Sequence, residues 1–221
     1  DTFEVIRALQ KLGMSLGEIK EYMENRSPER FMSMIDGKKR QIDEEIRRLK
    51  NMKRFILHEE ESVRLAMNTA LDEPRLVERD REYLLVSDIS AGLERKAAVE
   101  IAEHVRMQEK YNGAVGAVGS IYLGEDLERG IYDRCVKVYT RLDKKTVSHR
   151  VQNRPEGTYV ELYSRGHLWN MEKSYRLITA FAGERGIRLG KIWYEDLMLD
   201  ELTVKAYEQY IAKVMVPVGN P

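Results

Sequence analysis

The chain of 221 residues carries 37 basic and 37 acidic side chains, so its formal net charge is zero. This balance argues against a surface built throughout for nucleic acid, and a hydrophobic content of 43% argues against wholesale disorder. The single cysteine, Cys135, excludes an internal disulfide and any metal site with several thiolates from one chain. No apolar run approaches the ~20 residues of a membrane span and no leader is visible, so we expect a cytoplasmic protein without a membrane partner.

Residues 1–24 carry the pattern of two short helices. Apolar side chains recur at helical spacing in both, and Gly13 separates the two. Ser15 is followed three residues later by Glu18, which predicts a capping box at the start of the second helix. Pro28 then marks the first turn of a third helix.

The third helix is predicted to run from Pro28 to about Asn68. Its main apolar row has a spacing of seven and consists of Ile35, Ile42, Leu49, Ile56 and Val63. Such heptads are typical of a coiled coil, and a lone helix of this length would leave its apolar stripe in water. We therefore expect a homodimer formed through this helix; the alternative is that the helix lies lengthwise on its own C-terminal domain.

Beyond a break at residues 71–74, strand and helix patterns occur twice in the same order. The first set is a strand near 76–90, a helix near 94–111 and strands near 117–123 and 131–142. The second set is a strand near 159–163, a helix near 170–185 and strands near 191–199 and 211–218. Two β-α-β-β units predict the α+β fold class, with a pseudo-symmetric duplicated domain and a cleft near the junction of the two units.

Residues 9–20, LQKLGMSLGEIK, resemble the last part of the DNA-binding domain of MerR-family transcription regulators. The heptad helix stands where that family has its antiparallel coiled coil. Residues from about Pro74 resemble the GyrI-like effector-binding domain, most closely over Pro155–Val160 and through Trp193-Tyr194-Glu195. We accordingly divide the chain into a DNA-binding remnant (1–26), a dimerisation helix (27–70) and a GyrI-like domain (71–221).

The resemblance implies a regulator of the multidrug-sensing branch, in which an effector bound to the C-terminal domain changes how the DNA-binding heads hold the promoter. The first helix-turn-helix and the wing of that family are not in this sequence. Residues 1–24 contain only Arg7, Lys11 and Lys20 as basic side chains, interleaved with acidic ones. We expect promoter DNA to be contacted through a preceding region, and this chain alone to bind DNA weakly or not at all.

The effector is predicted to be a small organic molecule rather than a metal ion. One cysteine cannot supply clustered thiolates, and the four histidines show no ligand spacing, so neither a metal nor a cofactor is expected. The C-terminal region is instead rich in tyrosine and tryptophan. A carboxylate beside aromatic rings suits a flat, hydrophobic cation, and burial should raise the pKa of that acid in the empty pocket.

Glu195 is the first candidate for this carboxylate. Period two places Trp193 and Glu195 on one face of their strand and Tyr194 and Asp196 on the other, so a slip of one residue would exchange the two acids. The resemblance also puts the family's pocket glutamate at about Glu195, and Glu161 is a further candidate acid. The predicted ligand-binding residues are Tyr122, Tyr159, Glu161, Tyr163, Trp169, Trp193, Tyr194 and Glu195.

Two other functions remain open at this point. One is a GyrI-like hydrolase in which Glu195, with Tyr194 or Tyr122, activates a water; the other is a sequestering protein of the same fold. No Ser-His-Asp order, phosphate loop or metal motif supports stronger catalysis. A stand-alone enzyme also has no need of the long helix, so we predict a regulator and not an enzyme.

Overall fold

The computed structural model describes residues 2–90, 94–108, 110–111, 118–143, 145–166 and 171–219. Contacts between residues divide the chain into two compact units, residues 1–53 and residues 54–221. Among the described residues, no helix is long and apolar enough to cross a membrane.

The first unit contains α1 (Thr2–Lys11), α2 (Leu16–Glu24) and the beginning of α3 (Pro28–Asn68). The predicted capping box of α2 is confirmed: the Ser15 hydroxyl accepts a hydrogen bond from the Glu18 amide at 3.3 Å. In return, the Glu18 carboxylate accepts one from the Ser15 amide at 2.6 Å. The buried residues of this unit are Leu9, Met14 and Ile19.

The predicted long helix is confirmed as α3, which is continuous over 41 residues. Three residues of the heptad row, Ile42, Leu49 and Ile56, are 57%, 49% and 56% exposed. The boundary between the two compact units, after Lys53, falls inside α3. The last turns of α3 belong to the second unit because they join its core, where Ala66 packs with Tyr163, Met198 and Ile211.

The second unit is built on an eight-stranded sheet with the order β1-β6-β8-β7-β3-β4-β2-β5, and all of its pairings are antiparallel. The strands are β1 (Arg75–Arg79), β2 (Glu82–Asp88), β3 (Gly119–Leu123), β4 (Lys137–Leu142), β5 (Val151–Arg154), β6 (Gly157–Arg165), β7 (Ile192–Leu199) and β8 (Ile211–Pro217). The helices after α3 are α4 (Glu94–Gln108), α5 (Gly124–Glu128) and α6 (Glu172–Glu184). The predicted α+β class is therefore confirmed.

The strand order shows the duplication. The units β2-α4-β3-β4 and β6-α6-β7-β8 meet where β3 pairs with β7, and outward from this joint the strands correspond one to one. The two outer strands are exchanged: β1 precedes β2 in the chain but pairs with β6, and β5 precedes β6 but pairs with β2. Because of this exchange, each half of the duplicated sheet has an outer strand that lies next to the other half in the sequence.

Three local features of the second unit do not follow from the sequence pattern. The single strand expected near 76–90 is two strands, β1 and β2, with different neighbours. The four-residue strand β5 and the five-residue helix α5 were not predicted. Segments this short carry too few residues for a periodic pattern, so long-range pairing decides their structure.

The sheet buries different side chains on its two faces. On the first face, Ile178 of α6 and Met171, just before α6, pack with a cluster that includes Tyr122, Leu162 and Trp193. On the second face lies a separate cluster that includes Tyr139, Tyr159, Tyr194 and Met215. We call these the helix face and the opposite face.

Candidate functional site

Glu195 lies in the middle of β7, at the joint between the two duplicated units. Its cross-strand neighbours are Ser120 on β3 and Val214 on β8. Its side chain shares the helix face with Trp193, as period two predicted, and the residue is 6% exposed. A carboxyl group is therefore buried where the two halves of the sheet meet.

One hydrogen bond to the Glu195 carboxyl group comes from the hydroxyl of Tyr122, which donates to Oε2 at 2.9 Å. Burial raises the pKa of Glu195 to about 7, while the Tyr122 hydrogen bond lowers it and the neighbouring charge of Asp196 raises it. Burial also raises the pKa of Tyr122 well above its usual value, so this hydroxyl stays a proton donor. Among the described residues, no basic side chain pairs with Glu195 to offset this effect of burial.

A cavity of about 190 Å³ opens beside Glu195. The other residues that line it are Ser164, Arg165, Gly166, Lys173, Ser174 and Ala212. This lining is mainly polar, whereas the sequence pattern predicted an aromatic lining. Pockets for drug-sized ligands usually measure ~300 Å³ or more, so this cavity fits a smaller molecule or one part of a larger one.

Two of the predicted aromatic residues accompany Glu195 on the helix face, and both are core residues. Tyr122 is fully buried, and Trp193 is 2% exposed. The ring of Trp193 lies 5.4 Å from the ring of Tyr175 on α6, measured between centroids. Trp169, which was also predicted to bind ligand, lies outside the described residues.

The structure does not bring the remaining four predicted residues to Glu195. Tyr159, Glu161, Tyr163 and Tyr194 project from the opposite face of the sheet. The strand between the faces separates these side chains from the cavity. A small ligand in contact with Glu195 on the helix face therefore does not contact this second set.

Glu161, the second candidate acid, is already neutralised. It is completely buried and forms ion pairs with two arginines of β1, Arg75 at 2.8 Å and Arg79. Arg75 also lies 5.5 Å from the centroid of the Tyr163 ring. A carboxylate with two arginine partners is a poor site for another cation, because the ligand would have to displace them.

Asp196, the alternative to Glu195, also lies on the opposite face. Its carboxylate accepts hydrogen bonds from Lys213 at 2.8 Å and from the Tyr139 hydroxyl at 2.6 Å. Burial alone would raise the pKa of Asp196, but the charges of Lys213 and of two arginines hold it well below the usual range. The two acids of β7 are thus distinguished by their faces, and only Glu195 lacks a basic partner among the described residues.

The opposite face also buries a charged cluster that the sequence pattern did not predict. Arg154 is 2% exposed, and its Nε donates to Glu82 at 2.6 Å. Its guanidinium also lies 5.1 Å from the centroid of the Tyr194 ring and 5.9 Å from that of Tyr139. Arg154 belongs to β5, the strand that was not predicted, so no local signal marked it as buried.

No group of three or more His, Cys, Asp or Glu side chains within the described part of the chain is arranged to hold a metal ion. Cys135 is partly buried, and its thiol donates to the Lys137 carbonyl at 3.0 Å. Burial raises the pKa of this thiol, which disfavours the reactive thiolate.

The described chain thus combines two short helices, a 41-residue helix and a duplicated α+β sheet that buries a carboxyl group. A family model described as MerR, DNA binding, matches residues 1–58. The chain is 28% identical over 221 residues to the multidrug-efflux transporter 2 regulator of Bacillus subtilis (strain 168), covering 99% of this chain and 80% of that relative.

Two solved structures share the fold. An EcmrR–DNA complex matches 99% of this chain and 82% of its own, with a TM-score of 0.50 and 14% identity. The EcmrR C-terminal domain matches 67% of this chain and 98% of its own, with a TM-score of 0.52 and 11% identity. The family-model match over residues 1–58 and the similarity to a multidrug-efflux regulator confirm the resemblance to MerR-type regulators that the sequence indicated.

Proposed function

We propose that this chain belongs to a ligand-responsive transcription regulator whose C-terminal unit binds a small, amphipathic, cationic organic molecule beside Glu195. The observation that carries this proposal is the Glu195 carboxyl group itself. It is 6% exposed, lines a cavity and has a pKa of about 7. A buried acid without a basic partner is unfavourable, and a cationic ligand relieves that cost by pairing with the ionised form.

The positive charges in the cavity lining do not contradict this proposal. Lys173 is paired with Asp72 at 2.8 Å, so its charge is already compensated. Arg165 is exposed to solvent, where its charge is screened. The ligand we propose carries its cationic end at Glu195 and its apolar body in the remaining space.

The exposed heptad row of α3 supports a second part of the proposal, a homodimer through an antiparallel coiled coil. Ile42, Leu49 and Ile56 would leave water on pairing with a second copy. Promoter DNA would be held through the N-terminal heads of the two copies, and effector binding would change the arrangement of these heads. A regulator of this kind acts in the cytoplasm, where it reaches the chromosome.

The test is a titration with benzyltrimethylammonium and with its uncharged isostere neopentylbenzene, followed by tryptophan fluorescence. We expect saturable binding of the cation and at least tenfold weaker binding of the isostere. Glu195→Gln should weaken binding of the cation about tenfold, whereas Glu156→Gln, an exposed substitution of the same kind, should leave it unchanged. Affinity for the cation should rise from pH 6 to pH 8 in the wild type, because the carboxylate fraction grows through pH 7.

Two results would contradict this proposal. Equal affinity of the wild type and Glu195→Gln for the cation would remove Glu195 from the site. Hydrolysis of p-nitrophenyl acetate by the wild type, lost in Glu195→Gln, would instead support the hydrolase weighed in the sequence analysis.

A further inference from the structure

The segment between α3 and β1 contains a residue in a demanding conformation. Asp72 has a φ of +63°, and it is the only non-glycine residue with a positive φ in the described part of the chain. Its amide donates to the Tyr163 carbonyl of β6 at 2.7 Å. Residues other than glycine rarely adopt this left-handed region. Aspartate does so more readily than most, and such a residue persists there when the surrounding structure holds it.

Two side chains hold the Asp72 carboxylate. The Ser164 hydroxyl donates to Oδ1 at 2.8 Å, and the Lys173 ammonium donates to Oδ2 at 2.8 Å. Ser164 belongs to β6 and is 5% exposed, whereas Lys173 lies in the first turn of α6. Asp72 is therefore tied to a strand and a helix that are distant from it in sequence.

The same two side chains line the cavity beside Glu195. Ser164 and Lys173 thus border the cavity and also hold Asp72, which lies in the segment between α3 and β1. The Lys173 and Asp72 side chains are 53% and 39% exposed, so solvent weakens this ion pair and a competing acceptor can displace it.

We propose that Asp72 is a latch whose state reports occupancy of the Glu195 cavity. An effector with a cationic group at Glu195 has a hydrogen-bond acceptor at its other end. This acceptor replaces the Asp72 carboxylate as the partner of Lys173 and Ser164. The linker then loses two of the bonds that hold its left-handed turn, and the end of α3 is no longer fixed to the sheet at this point. This inference rests on the proposed function, and it adds the ligand class and the route from the cavity to α3.

The first test uses the ligand-free protein and measures hydrogen exchange of amides in residues 69–76. Lys173→Met and Asp72→Asn each remove the ion pair, so each should raise hydrogen exchange of the residue 72 amide several-fold. Asparagine tolerates positive φ, so Asp72→Asn does not strain the backbone. Lys191→Met, which removes an exposed lysine outside the latch, should leave this exchange unchanged. Unchanged exchange in both latch variants would overturn the proposal.

The second test compares benzyltrimethylammonium with its 4-carboxylate derivative, a zwitterion. Asp72→Asn frees Lys173 and leaves its positive charge uncompensated beside the cavity. The variant should therefore bind the zwitterion about tenfold more tightly and the plain cation more weakly than the wild type. The zwitterion should also raise exchange in residues 69–76 of the wild type.

The outcomes separate the two proposals. If the cation binds in a Glu195-dependent manner but Asp72→Asn leaves the affinity for the zwitterion unchanged, the latch is wrong and the effector site stands. If neither probe binds the wild type, the effector site fails, and the latch fails with it as a sensor of that cavity.

Discussion

At the scale of single residues, two adjacent acids of β7 have opposite environments. Burial raises the pKa of Glu195 to about 7, although the Tyr122 hydrogen bond lowers it. Asp196 is also buried, but the neighbouring charge of Lys213 keeps it ionised. Period two predicted that these residues lie on different faces. This periodicity does not predict that Lys213 lies beside Asp196, because β8 pairs with β7 only in the folded chain.

The raised pKa of Glu195 predicts a pH-dependent effect of Glu195→Gln on stability. The ordinary pKa is 4.5 and the folded-state pKa is about 7, so the folded state binds more protons between these values. The wild type therefore loses stability as pH rises through this window, and the glutamine variant does not. We expect Glu195→Gln to gain about 3 kcal/mol over the wild type between pH 4.5 and pH 8, measured by urea unfolding.

The matched control for this measurement is Glu156→Gln, which changes an exposed acid. Its difference from the wild type should stay within ~0.5 kcal/mol at both pH values. A Glu195→Gln difference that is the same at pH 4.5 and pH 8 would show that the folded protein does not raise the pKa of Glu195.

At the scale of elements, the sheet depends on close contact between neighbouring strands. Gly119 begins β3 and lies opposite Tyr139 of β4. A Cβ atom added at Gly119 would lie 2.4 Å from Cζ of the Tyr139 ring, which is 1% exposed. The same tyrosine donates to Asp196, so its ring has little freedom to move.

Gly119→Ala is therefore expected to destabilise the protein by about 2 kcal/mol, because a rigid ring must shift in a packed core. Urea unfolding would measure the change. In Gly37→Ala, within α3, the new Cβ would come no closer than 4.0 Å to a neighbouring atom, so this control should gain up to ~1 kcal/mol from helix propensity. A neutral Gly119→Ala would mean that β3 and β4 are not packed as described.

At the scale of the whole molecule, the apolar row of α3 carries the prediction of a dimer. Light scattering should give about twice the chain mass of 25.8 kDa. Leu49→Glu should produce a monomer, because it places a charge within the apolar seam. Lys50→Glu, at a neighbouring exposed position, should leave the dimer intact. A monomeric wild type would show that the row is not a dimer interface.

The amino-acid sequence by itself determined the features that local patterns encode. The capping box at Ser15, the continuous α3, the repeated order of strands and helices and the face of Glu195 all follow from spacings of two to seven residues. Such spacings fix which side of an element is apolar, whatever lies opposite. They also carried the resemblance to MerR-type regulators.

Only the tertiary structure decided which charged groups meet. Glu161 is neutralised by arginines 86 and 82 residues away, and Asp72 is held by side chains 92 and 101 residues away. The exchange of β1 and β5 between the duplicated units brings the Glu161 partners into place, and no local pattern encodes that exchange. An isolated acid and a paired acid look the same in a sequence, because their difference lies in partners that folding brings together from distant parts of the chain.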